Sequence, residues 1–201
     1  MTAIHVSFDT VTNFTPRIPK LFCTNEDYTI PRICVAPDIR SALNSIPQCG
    51  QVMEYMRKLN LPVIIHVYYL YGGKQVDNKD VQKHVPDAGY TKEFWLTSVP
   101  DRVNRIDYEV TDFDVCKAKD AFGEEVWDVS NVQLSRHRYQ SNIENFIHSF
   151  CRKGEEEALR SLFHKYTYRT VMADMGEEFF DMYCKAKEDT ERKLDHEEER
   201  V

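Results

Sequence analysis

The sequence lacks any stretch long and apolar enough to span a bilayer. Its longest apolar run, Leu61 to Leu70, is broken by His66 and stops far short of the ~20 residues a spanning helix needs. The opening Met-Thr-Ala-Ile-His-Val has no basic segment followed by an apolar one, so no secretion signal is expected. Cys23, Cys34, Cys49, Cys116, Cys151 and Cys184 stand singly and never form C-x-x-C. That spacing speaks against a zinc site and a disulfide framework, and for reduced thiols in the cytoplasm. Neither a G-x-x-x-x-G-K-[ST] nor a G-x-G-x-x-G phosphate loop occurs, and no G-x-S-x-G elbow. Positive charge is also short: the formal net charge is −7, which argues against general nucleic-acid binding. There is no internal repeat and no low-complexity linker.

What is present suffices for a real core, with 42% hydrophobic and 12% aromatic residues in 201. Ala3 to Phe8 is short, apolar and strand-compatible. Pro16 and Pro19 forbid a regular helix over Phe14 to Phe22, and Asn25-Glu26-Asp27 reads as a turn. Ile33-Cys34-Val35 follows as a brief strand. Asp38 is placed to cap a helix with Ile39, Ala42, Leu43 and Ile46 on one face, ended by Pro47. A second helix is expected from about Gln51, with Val52, Tyr55, Met56 and Leu59 inward. Pro62 to Leu70 is the strongest strand, rich in β-branched and aromatic residues, and Gly72-Gly73 turns it. Further strands are expected over Thr91–Thr97, Val103–Val110 and Glu125–Val129. From Ser141 the pattern turns helical, over Asn142–Arg152, Ala158–Tyr166 and Glu177–Lys187, before a charged stretch from Glu188 to Arg200. The expectation is an α+β protein: a β-rich unit over residues 1–139 and a helical C-terminal extension over 140–201.

Three blocks carry the only chemistry that stands out. They are Ile4-His5-Val6-Ser7, then Pro31-Arg32-Ile33-Cys34-Val35-Ala36-Pro37-Asp38, then Thr91-Lys92-Glu93-Phe94-Trp95 running on to Pro100-Asp101-Arg102-Val103. Their order resembles the ADP-ribosyltransferase superfamily, in particular small bacterial and phage-encoded members with an opening His-x-Ser. The resemblance covers residues 3 to 110. It implies a split β-sheet core with flanking helices, NAD as cofactor, and transfer of ADP-ribose to a macromolecular acceptor. Protein is the more natural acceptor for so acidic a chain. Cleaving the nicotinamide–ribose bond passes through an oxocarbenium-like sugar, which a carboxylate can stabilise. The resemblance gives Glu93 that role. It gives His5 and Ser7 the ribose hydroxyls, Arg32 the pyrophosphate, and Tyr90 or the Tyr68-Tyr69-Tyr71 cluster the nicotinamide.

The second block offers no tyrosine, and Glu93 has no second glutamate two residues away, so the stacking group and the target residue stay open. Each residue also has a structural alternative. His5 fits a sheet edge or a satisfied core position, Glu93 the solvent side of a strand, and Arg32 a salt bridge with Glu26 or Asp27. A Cys34–His66 nucleophile pair would need the fold to bring them together. At the level of the whole protein the alternative is an inert module that binds a nucleotide or a host protein, as a phage-encoded inhibitor of host defence would.

Overall fold

Pro62 to Leu70 supplies β3 (Val63–Tyr71), the second strand of a four-stranded antiparallel sheet. In this computed structural model the described residues are 2–19, 27–85, 87–119, 125–138, 141–151 and 155–198. Cys23 and the expected turn residues Asn25 and Glu26 lie outside them. The sheet runs in the order β1 (Ala3–Ser7), β3, β6 (Arg102–Lys119) and β7 (Glu125–Arg136). Both long strands outrun expectation. Inward apolar positions switch parity from Tyr108 and Val110 to Phe113 and Val115. The register shifts between Val110 and Asp114 absorb that switch, so pairing with β7 continues to Lys119.

Strand alternation gives the sheet two unlike faces. One carries Ile4, Val6, Val63, Ile65, Val67 and Val110 into the main core. Over it lie α1 (Ile39–Asn44), capped by Asp38 accepting from Ser41 N at 2.8 Å, and α2 (Cys49–Lys58). The C-terminal helices α5 (Asn142–Phe150), α6 (Glu156–Lys165) and α7 (Tyr168–Glu198) join the same core. Phe146, Phe163, Val171 and Met172 pack in one cluster with Val52, Met53 and Met56. Two glycines permit these approaches. A Cβ at Gly50 would meet the Trp127 carbonyl oxygen at 2.2 Å, and one at Gly176 would meet the Tyr55 ring at 2.4 Å.

The opposite face carries Ala3, Tyr68 and Leu70 at one end, where a second sheet covers it. That sheet has the order β2 (Ile33–Val35), β5 (Phe94–Leu96), β4 (Gln75–Val76), all antiparallel. Ile33, Val35, Phe94 and Leu96 face the large sheet. Trp95 and Cys34 face away, under α3 (Asn78–Val81) and α4 (Ala88–Thr91). An isolated bridge between Ile4 and Ala36 ties the sheets together. The expected strand over Thr91–Thr97 shrinks to three residues. Ala88 buries as part of a helical turn, and Lys92 then takes φ +54° and redirects the chain. No helix among the described residues is long and apolar enough to cross a membrane. None of the five described cysteines is in a disulfide.

Candidate functional site

The three blocks fold onto neighbouring strands. β1 meets β2 at the Ile4–Ala36 bridge, and β2 pairs with β5 through Val35 and Phe94. Their side chains do not share a hollow. His5 is wedged between the sheets, against Phe14 and Tyr68, with ring centroids 5.5 and 6.1 Å away. Its Nδ1 lies 3.0 Å from the Cys34 carbonyl oxygen, which can only accept, so Nδ1 carries the proton. Burial lowers the His5 pKa and keeps the ring neutral. The hollow beside it holds only about 40 Å³, too small for a nucleotide.

Glu93 and Arg32 sit on the other side of the small sheet, around Trp95. The Trp95 indole Nε1 donates to Glu93 Oε1 at 2.7 Å, and the Arg32 guanidinium lies 4.4 Å from the indole centroid. Arg32 Nη1 also donates to the carbonyls of Asp27 and Ile30 at 2.8 and 3.0 Å. His84 closes the cluster, 5.7 Å from the indole and bonded to Asp27 Oδ2 at 3.1 Å. Arg32 and Glu93 are 2% and 6% exposed, and this polar network ties the segment from Asp27 to Arg32, and His84, to Trp95 on β5. Tyr90 is exposed on α4, beside Asp128 and Arg40. Among the tyrosine cluster, Tyr68 is buried and accepts from Val11 N at 2.7 Å, and Tyr71 lies under Arg102. Cys34 lies on β2, with its carbonyl on His5 and its side chain against the Trp95 cluster, so it makes no pair with His66.

The polar chemistry gathers at the uncovered end of the large sheet. Ser7, His66 and Asp107 are cross-strand neighbours on β1, β3 and β6, and so project from one face. Beyond Ser7 the strand β1 ends, and a cavity of about 620 Å³ opens. Its floor is the buried His66. Asp107, His137 and Ser141 are half-buried in its wall, and Thr10, Arg105, Arg138 and Glu144 form the rim. Ser7 Oγ accepts from Asp9 N at 3.1 Å, so it shapes the chain's exit from β1.

The electrostatics of this cavity are specific. Arg105 Nε and Nη2 each donate to Asp107 at 2.7 Å. That bidentate pair, with the nearby His66, holds the Asp107 carboxyl below its ordinary pKa against the opposing effect of burial. His66 Nδ1 is 2.9 Å from Asp107 Oδ1. An ionised carboxylate only accepts, so Nδ1 carries the proton and Nε2 presents a lone pair in the neutral ring. That Nε2 is buried and has no hydrogen-bond partner. The second imidazole, His137, has Nδ1 3.7 Å from Glu109 Oε2, and its backbone N donates to the Asp107 carbonyl at 3.0 Å. Glu144 is committed to Arg160 by two bonds of 2.7 and 3.1 Å. Arg138 makes no ion pair among the described residues.

No family model, curated protein or solved structure matches this chain.

Sequence reasoning missed this cavity because its members are spread from Thr10 to Glu144. One signal was legible: His66, a titratable residue inside the most apolar run of the chain. A histidine there needs a partner, and Asp107 on the next strand supplies it.

Proposed function

We propose that this protein is a nucleotide-binding module that takes a phosphorylated ligand in the polar cavity at the open end of the four-stranded sheet. The scaffold is an ADP-ribosyltransferase-like split sheet used for binding rather than transfer. One observation supports this best: a 620 Å³ hollow with one imidazole on its floor and one in its wall, and whose rim holds two guanidiniums, one of them, Arg138, without an ion-pair partner among the described residues. Small-molecule sites occupy roughly 300–1,000 Å³, and the planar fork of arginine suits a phosphate. Thermal shift and calorimetric titration with AMP, ADP and NAD test the reading. Arg138→Ala is expected to weaken nucleotide binding roughly five- to tenfold. Absence of any shift with all three nucleotides at millimolar concentration would overturn it.

A second reading, NAD-dependent transfer of ADP-ribose to a protein acceptor, is favoured by the adjacency of β1, β2 and β5, the strands that carry the three blocks. It requires Glu93 to leave the Trp95 indole and face a bound ribose. Nicotinamide release from NAD, measured beside a Glu93→Gln variant, separates the two. Binding without turnover supports the module, and turnover abolished by the substitution supports the transferase.

A further inference from the structure

We propose that the cavity reads the sugar-phosphate half of its ligand, with a sugar hydroxyl donating to His66 Nε2 and none of the described lining residues stacking on a base. This rests on the nucleotide reading above and assigns the part of the ligand each group takes. Asp107, ionised and anchored by Arg105, fixes the proton of His66 on Nδ1. The other nitrogen therefore seeks a donor. An ionised phosphate oxygen has no proton to give, so phosphate is the wrong partner for it, and a hydroxyl is the right one. The phosphate instead falls to the exposed Arg138 at the rim, the cation without an ion-pair partner among the described residues. None of the described lining residues is aliphatic, and the only rings among them are the two imidazoles. Among these residues a base would find no apolar platform to stack on. Because Nε2 is enclosed and unpartnered, a hydrogen bond there gains more than one made in water.

The experiment is a calorimetric series on the full chain with AMP, 2′,3′-dideoxy-AMP and ribose 5-phosphate. AMP and ribose 5-phosphate are expected to bind within about threefold of each other, and the dideoxy nucleotide roughly three- to tenfold more weakly. His66→Phe should erase that discrimination, while His66→Gln, whose side-chain carbonyl still accepts, should keep part of it. If His66→Phe does not fold, the ligand series on the unaltered protein decides alone. Equal binding of the two nucleotides overturns the inference and leaves the nucleotide reading standing. Binding of AMP without ribose 5-phosphate does the same. Failure of both AMP and ribose 5-phosphate to bind overturns the inference, and failure of ADP and NAD as well overturns the nucleotide reading.

Discussion

Asn142 provides the sharpest test of how the cavity is held. It is 1% exposed at the first turn of α5. Its side-chain carbonyl accepts from Ile64 N at 2.9 Å, and its amide donates to the carbonyls of Ile64 and Phe8 at 2.8 and 2.9 Å. β1 pairs with β3 only as far as Ser7 and His66. Beyond that point the Asn142 amide stands in for the missing strand, satisfying both backbone groups of Ile64 as a peptide would. Asn142→Ala strands one buried donor and two acceptors. The N–H is the costliest, at about 1–3 kcal/mol, while carbonyls with a second lone pair lose less. A total near 3 kcal/mol is expected, which for a chain of this size lowers Tm by about 6–12 °C. Urea unfolding followed by circular dichroism measures it, with Ser141→Ala as the comparison. Ser141 caps the same helix by accepting from Glu144 N at 3.2 Å but is more exposed, and its loss should cost about 1 kcal/mol. Asn142→Asp keeps the shape but sets a carboxylate against two carbonyls, so it should destabilise more at neutral pH than in acid. If Asn142→Ala costs less than about 1 kcal/mol, or no more than Ser141→Ala, the strand-substitute argument is wrong.

Gly176→Ala should destabilise the docking of α7 on α2 by about 1–3 kcal/mol, because the new methyl would sit 2.4 Å from the Tyr55 ring. Thermal melts of the variant beside Tyr55→Ala and the double variant should show the glycine's cost largely relieved when the ring is gone. The Asp107 carboxyl, lowered by Arg105, contributes stability that is present above its unfolded pKa of 3.8 and is lost as pH falls through its lower folded value. Asp107→Asn should therefore remove part of the acid-side slope in urea midpoints measured below about pH 4. An unchanged slope would count against the ion pair. The same variant frees the His66 tautomer: ring ¹⁵N shifts should report an Nδ1-protonated ring in the parent protein and a mixture in the variant. A parent ring protonated at Nε2 alone would remove the lone pair on which the hydroxyl reading depends.

Much of the architecture was legible from local chemistry. The β-branched and aromatic run at Pro62 to Leu70, the Asp38 cap and the helical periods after Ser141 all depend on residues close in sequence. Lengths were less legible, because they depend on distant partners. β6 runs on to Lys119 because β7 is there to pair with it. α7 begins at Tyr168, nine residues before the expected start at Glu177, and there the carboxylate of Asp9 accepts from Tyr168 N at 2.7 Å. A cap contributed from the opposite end of the chain leaves no local pattern.

Strand order and side-chain direction are separate questions, and the residues of the three blocks show why. Hydrophobic pattern brought β1, β2 and β5 side by side. Whether a carboxylate at the start of β5 faces a histidine on β1 depends on a parity that a single residue can invert. Phe94 and Leu96 are the larger apolar match for Ala3, Tyr68 and Leu70, so they face the large sheet and carry Trp95 outward. Glu93, two residues from Trp95, goes with it and finds the indole N–H. The polar residues free to meet a ligand are instead those where the small sheet stops covering the large one: His66 and Asp107, one row beyond Tyr68 and Arg105. The location of the cavity thus follows from the size mismatch between a three-stranded sheet and the four-stranded sheet beneath it. Extending the cover by one row would close the cavity.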